Sequence, residues 1–369
     1  MKLVCSKSNL LGGVQIVSKA VSNKTTMSIL ECIMVDATKG RITLTGNDMD
    51  LGIETIIEGN IVEKGAIALD AKIFLEIVRK LPDSDITIET DPSYKTVITC
   101  EKAKFTIIGK SGEDFSYLPL VEKEDSIVIS QFTLKEVVRQ TIFSISDNDN
   151  NKLMTGELFE MKGSEMKVVS LDGHRISIRK IELREECSPK KVVVPGKTLN
   201  EVSKILPGGA DSFVTISFTP KHIVFEFDET TVVSRLIEGE YFRIDQMLSS
   251  DYETKVKINK KEFLNCIDRA TLLVKEGDKK PIIMNITDES MELKINSLLG
   301  SMNEDIDIEK QGKDLMIGFN PKFLIDALRV IDDEDVELYM VNPKAPCFIK
   351  NQEESYIYLI LPVNFTTVS

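Results

Sequence analysis

Apolar residues recur along this chain with two periods, one helical and one extended, and the two alternate in a fixed order. Three segments read alike: FLEIVRKLPDSDITIE (74–89), LNEVSKILPGGADSFVTISF (199–218) and FLIDALRVIDDEDVELYMV (323–341). Each begins as a short amphipathic helix and passes into a strand-like alternation. The apolar residues that close the three helices, Leu81, Leu206 and Ile331, stand at equal intervals. A long-period repeat therefore runs through the chain without a gap.

A second family of helices lies between them. SNLLGGVQIVSKAV (8–21) places Leu10, Val14, Val17 and Val21 on one face. TLKEVVRQTIFSIS (133–146) aligns Leu134, Val138, Thr141 and Ile145, and KEFLNCIDRATLLV (261–274) aligns Phe263, Ile267, Ala270 and Val274. Thr133 with Glu136 and Thr198 with Glu201 are expected to form capping boxes, and Asn320 to cap a helix opened by Pro321. The Gly12–Gly13 pair weakens the first helix by about 1 kcal/mol per glycine. Between helices lie alternating runs such as GRITLTGNDMDLGIETIIEG, KTVITCEKAKFTIIG and HIVFEFDETTVVSRLIEG, with Gly, Asn and Asp at the turns. Each unit reads as one helix plus about four antiparallel strands. Two units make a domain and three domains make the chain, an α+β protein. Its domains are expected at 1–122, 123–251 and 252–369, divided at the charged stretches VEKEDS (121–126) and SSDYETK (249–255).

Composition narrows the class. The 42% apolar and 28% charged content is that of an ordinary globular protein. No apolar run approaches the roughly 20 residues that span a bilayer, and MKLVCSKSNLLGG does not read as a signal peptide. Cys5, Cys32, Cys100, Cys187, Cys266 and Cys347 are far apart, with no CxxC, as expected of reduced thiols in the cytoplasm. With only His174 and His222, an imidazole metal cluster is not expected, and no cofactor is assigned. The net charge of −13 argues against a nucleic-acid binder until the charge is located. Counted over 8–21, 71–81, 133–146, 197–206, 260–274 and 320–331, all six helices are net basic, so the acidic excess sits elsewhere. If the repeats close with their helices on one side, those lysines line a single positive surface.

One stretch carries candidate chemistry. In VVSLDGHRIS (168–177), Asp172, Gly173, His174 and Arg175 follow a strand-like run. A hydrolase would use His174 with Asp172, but the two are near neighbours in sequence and no nucleophile-bearing motif follows. No catalytic residue is assigned. A repeat-built scaffold that binds only protein is the other competing reading.

In order and spacing, several motifs together resemble one family: TTMSILECIMV (25–35), LTGNDMDLGIE (44–54), FLEIVRKLP (74–82), VVSLDGHRIS, VVVPGKTLNEV (192–202) and YLILPV (358–363). The chain resembles the bacterial sliding clamp, the β subunit of DNA polymerase III, from Met1 to about Phe365. The resemblance implies three similarly folded domains in a head-to-tail homodimeric ring, strands outside and helices around a hole that holds duplex DNA. It implies no active site and no membrane, a loader that opens the ring with ATP, and a tethering role for the polymerase III α subunit and other polymerases. It places a partner-peptide pocket at Met154, Leu171, Gly173, His174, Arg175, Ile176, Phe242, Met247, Leu361, Pro362 and Val363, with His174 and Arg175 as donors at the rim. DNA contacts by match are Lys24 and Arg79, with Lys72, Lys152 and Lys197 as further candidates. The subunit interface sets Phe105 and Ile107 against Leu272 and Leu273, with Lys102 and Lys104 paired to Glu304 and Asp305. The chain departs from many relatives at Phe242, Gln246 and Asn364, and TTVS extends past the usual end.

Overall fold

The computed structural model describes residues 1–22, 25–119, 125–148, 150–248, 251–274 and 280–365. Lys24, most of the 121–126 stretch, the start of the 249–255 stretch and the final TTVS lie outside the described residues.

The helices are α1 (Lys7–Val17), α2 (Ala71–Lys80), α3 (Gln131–Thr141), α4 (Gly196–Ile205), α5 (Lys260–Thr271) and α6 (Pro321–Val330). Each begins where a strand ends, after Lys2–Ser6, Ala66–Asp70, Asp125–Ser130, Arg175–Pro195, Thr254–Asn259 and Leu315–Phe319. The switch from extended to helical backbone leaves amide donors unpaired, and polar side chains at the strand ends take them up. Ser6 accepts from the Asn9 amide at 3.2 Å, Asp70 from Ile73 at 2.8 Å, and Ser130 from Thr133 at 3.0 Å. Asn259 accepts from Glu262 at 3.1 Å, and Asn320, before Pro321, from Lys322 at 3.0 Å. Such a cap contributes about 1 kcal/mol.

Both expected capping boxes are corrected. Ser130 takes the Thr133 amide, so α3 starts earlier, while Glu136 binds Arg139. Thr198 turns its hydroxyl to Ser234 at 2.6 Å, and Glu201 pairs with Lys204. The helix faces follow the spacing: Leu10, Val14, Val17, Leu134, Val138, Phe263, Ile267 and Ala270 are buried. The fourth member of each expected row, Val21, Ile145 and Val274, lies beyond its helix.

The chain forms two compact units, Met1–Thr133 with Lys197–Leu236, and Leu134–Gly196 with Ile237–Ser369. Among the described residues, every strand pair within them is antiparallel. The first unit holds a five-stranded and an eight-stranded sheet. In the latter, Leu51–Ile57 pairs with Thr230–Arg235, in register from Thr55↔Thr230 to Leu51↔Ser234. The second unit holds a seven-stranded and a four-stranded sheet. There Arg175–Pro195 pairs with Tyr356–Ile360, in register from Arg175↔Ile360 to Arg179↔Tyr356. These are equivalent joints: each links the strand after a Gly/Asp-containing turn in one repeat to the last strand of a later repeat. Two strands in the corresponding repeat positions end their sheets, Ala103–Ile108 in the five-stranded sheet and Gly300–Asp307 in the four-stranded one.

The repeat extends to side chains. Lys7, the first residue of α1, donates its ammonium to the Leu81 carbonyl just past α2. Lys260, the first of α5, does the same to Ile331 past α6 at 2.6 Å. Both use a cation to satisfy a helix C-terminus. Gln131 takes this place in α3, donating to the Phe213 carbonyl at 3.4 Å and accepting from the Gly208 amide at 3.2 Å. No helix among the described residues is long and apolar enough to cross a membrane.

Candidate functional site

The DGHR stretch is a tight turn held by its own aspartate. Asp172 Oδ1 accepts the amides of His174 at 2.9 Å and Arg175 at 3.1 Å. Gly173 takes φ +88°, a left-handed conformation that a side chain disfavours. Asp172 Oδ2 accepts from Arg175 Nε at 3.0 Å. The carboxylate is thus spent on backbone amides and a guanidinium, and the acid–base arrangement of a hydrolase is not built. His174 is exposed, its ring stacked over Phe323 at 6.1 Å, and its carbonyl accepts the Leu361 amide at 2.9 Å.

Arg175 corrects an expectation. It is 7% exposed and its donors point inward, to Asp172, to Asp326 Oδ2 at 2.6 Å and to the Phe143 carbonyl at 2.5 Å. It is a buried pin and not a free donor at the rim. A guanidinium can stay charged this far from water because two carboxylates and a carbonyl satisfy its planar fork.

Beside the turn lies an apolar cavity of about 590 Å³. Met154, Leu171, Gly173, His174, Arg175, Ile176, Phe242, Met247 and Leu361 come together around it, from segments far apart in sequence. Pro362 and Val363 do not line it. Beyond Leu361 the chain turns along the strand Leu315–Phe319, where the Val363 amide donates to the Gly318 carbonyl at 2.8 Å. Pro346 and Leu359 line the cavity instead. Leu359 had a signal in the sequence, because in an extended run it shares the face of Leu361 two residues on. Pro346, brought by the turn between two strands, had none. Phe242 packs edge-on against buried Tyr241 at 5.5 Å, which fixes one wall. Met247, 52% exposed, and Leu361, 37% exposed, stand at the mouth. Adaptable apolar side chains over a preformed hollow suit short apolar peptides.

The remaining site residues are dispersed. Lys72 and Arg79 are exposed on α2, Arg79 bound to Glu76 at 2.5 Å. Lys197 is exposed, and its ammonium pairs with Asp48 in the same unit. Lys152 is exposed in the second unit, in the short 3-10 turn Lys152–Thr155. Phe105 and Ile107 lie on the edge strand Ala103–Ile108, with Lys102 and Lys104 exposed beside them. Phe105 also closes an open hollow of about 450 Å³ with Lys72, Ile73, Glu76, Ile77 and Lys80. Ile108, at the end of the same strand, is 73% exposed. Leu272 is 78% exposed at the end of α5, whereas Leu273 packs partly into its own core. Asp305 is exposed, but Glu304 is engaged by Arg269 of its own chain, so the expected lysine partners would have to compete.

Comparison with known proteins gives the class that this architecture defines. Family models of the N-terminal, central and C-terminal domains of the DNA polymerase III beta subunit match residues 1–119, 128–242 and 245–364. The chain belongs to the DNA polymerase III beta subunit family. It is 33% identical over 356 residues to a beta sliding clamp of Staphylococcus aureus, covering 94% of each. A crystal structure of a putative DNA polymerase III beta subunit from Eubacterium rectale superposes with TM-score 0.97 at 75% identity, covering 99% of this chain and 100% of that one. The DNA polymerase sliding clamp from Bacillus subtilis superposes with TM-score 0.95 at 34% identity, over the same shares. The α+β fold of similar clamp domains with antiparallel sheets, expected from the sequence, is borne out.

Proposed function

We propose that this chain is the processivity clamp of DNA replication, a homodimeric ring that encircles duplex DNA, slides on it and tethers polymerases. It acts in the cytoplasm, catalyses no reaction itself, and depends on a clamp loader to be opened. Its three domains run 1–122, 123–251 and 252–369, in keeping with the limits of the three family models.

The observation that carries this reading is a pair of unmatched sheet edges. Two joints of one kind are made within the chain, Leu51–Ile57 with Thr230–Arg235 and Arg175–Pro195 with Tyr356–Ile360. The strands that would make a third, Ala103–Ile108 and Gly300–Asp307, both end their sheets and are largely exposed. An unpaired edge is an aggregation hazard unless something pairs with it. A second copy supplies the partner strand at each end, and a head-to-tail contact of this kind closes into a ring. Exposed Leu272 of one copy then seats by Phe105 of the other, in the hollow beside α2.

The basic helices face phosphate inside such a ring, with Lys72, Arg79, Lys152 and Lys197 as contacts beside Lys24. Encirclement makes tight binding unnecessary, so a few salt-sensitive contacts suffice. The apolar cavity beside the Asp172 turn takes peptide motifs of polymerases and of the loader. Tethering holds a polymerase at high effective concentration near the primer end. The test is particle mass and shape. Sedimentation should give twice 41.4 kDa, and negative-stain images should show rings. A monomer at micromolar concentration, or an open filament, would refute the reading.

A further inference from the structure

Arg175 lines the cavity, yet its guanidinium reaches away from it. Its Nη1 donates to Asp326 Oδ2 at 2.6 Å, and Asp326 belongs to α6 and not to the cavity wall. Nη2 donates to the Phe143 carbonyl at 2.5 Å and Nε to Asp172 Oδ2 at 3.0 Å. The cation also lies 4.5 Å from the Phe323 ring centroid and 5.4 Å from that of Phe143. Phe323 and Asp326 stand three positions apart and share one face of α6. That single patch seats the guanidinium and, by the Phe323 stack, the His174 ring. Asp172 meanwhile grips the amides of His174 and Arg175. Charge-assisted bonds thus run unbroken from α6, through Arg175 and Asp172, to the turn at the cavity's edge.

We infer that Asp326 is a positioning residue for peptide recognition, holding the Asp172–Arg175 turn, through Arg175, in the shape that the bound peptide meets. The inference rests on the reading of the cavity as a peptide site. A planar guanidinium satisfies three acceptors in fixed directions, which a lysine ammonium on a flexible stem does not reproduce. Loss of the Asp326 charge frees one end of that fork. Arg175 keeps Asp172 but no longer fixes it relative to α6, and the turn must be ordered anew each time a peptide binds.

The experiment is fluorescence polarisation with a labelled short peptide, taken from a polymerase, that carries two large apolar residues. It is run on the full-length parent and on Asp326→Asn, Asp326→Glu, Arg175→Lys, the Asp326→Asn/Arg175→Lys double variant and Met247→Ala, each followed also by thermal unfolding. Asp326→Asn should bind about tenfold more weakly, and the double variant no worse than Arg175→Lys alone, because both cuts sever one chain of contacts. Asp326→Glu should recover most of the affinity. A purely structural Asp326 would lower the melting temperature and leave the peptide affinity alone. If Met247→Ala weakens binding while Asp326→Asn stays within about twofold of the parent, the positioning role is overturned and the cavity reading stands. If neither variant changes binding, the cavity reading falls and the inference falls with it.

Discussion

The backbone amide of Leu361 donates to the carbonyl of His174 at 2.9 Å, tying the C-terminal strand to the turn that edges the cavity. This bond continues the pairing of Arg175 with Ile360 by one step beyond the sheet. Leu361 lines the cavity together with Met247, and both side chains are exposed. Truncation after Ile360 removes that wall and should weaken peptide binding at least about tenfold, the scale of losing an anchor residue. Met247→Ala should cost about 1 kcal/mol or more by the same measure. Dimer mass should not change in either variant, because the proposed interface lies elsewhere. Peptide titration by calorimetry checks both, and unchanged affinity would move the peptide site away from this cavity.

Leu272 and Leu273 are adjacent but differ in kind. Leu272 is 78% exposed, whereas Leu273 packs partly against its own core. Leu272→Ala should therefore weaken the dimer, by about 2 kcal/mol if it is a buried anchor in the ring, while the melting temperature of the protomer stays put. Leu273→Ala should lower that melting temperature as well. Sedimentation equilibrium at low micromolar concentration reads the first effect. A Leu272→Ala protein that stays as dimeric as the parent would contradict the seating of Leu272 beside Phe105.

Glu157 is fully buried on the strand Gly156–Leu171, and neither carboxyl oxygen finds a hydrogen-bond donor. The nearby Thr141 hydroxyl is spent on the Val137 carbonyl at 2.7 Å. Burial pushes this carboxyl from its ordinary 4.5 up to about 8, and the titratable group that senses it is the buried Tyr241 phenol. Folded protein therefore holds a proton here that the unfolded chain has already released. Stability should fall as pH rises from about 4.5 to about 8, by up to about 1.4 kcal/mol per unit, and level off above. Glu157→Gln, neutral at every pH, should be more stable than the parent at pH 7 by at least about 1 kcal/mol. The gap should close below pH 4.5. Denaturant unfolding across that range checks it, and a gap independent of pH would mean that Glu157 is ionised or solvated in the fold.

The helix faces were legible in the sequence because they depend only on spacing along the chain. Leu10, Val14 and Val17, or Phe263, Ile267 and Ala270, bury one helix face because their spacing leaves no other arrangement. The caps were not legible, because Thr–x–x–Glu pairs inside a helix look like starts; the residue that caps α3, Ser130, ends the preceding strand. Most of the cavity was visible through family motifs, and Leu359 follows from the period of an extended chain. The inward fate of Arg175 was not legible. Its partners Phe143 and Asp326 lie 32 and 151 residues away and meet it only through tertiary packing. The same holds for Glu304, whose partner Arg269 is 35 residues off.

The central claim is topological: this protein is held on DNA by encirclement and not by affinity. The direct measurement is retention on DNA after loading by a clamp loader and ATP, followed by gel filtration at elevated salt. On a nicked circular duplex the protein should co-elute with DNA, because added salt screens phosphate contacts but does not open a ring. Cutting that circle once should release it. Equal retention on circular and linear DNA, or equal loss from both as salt rises, would contradict the account.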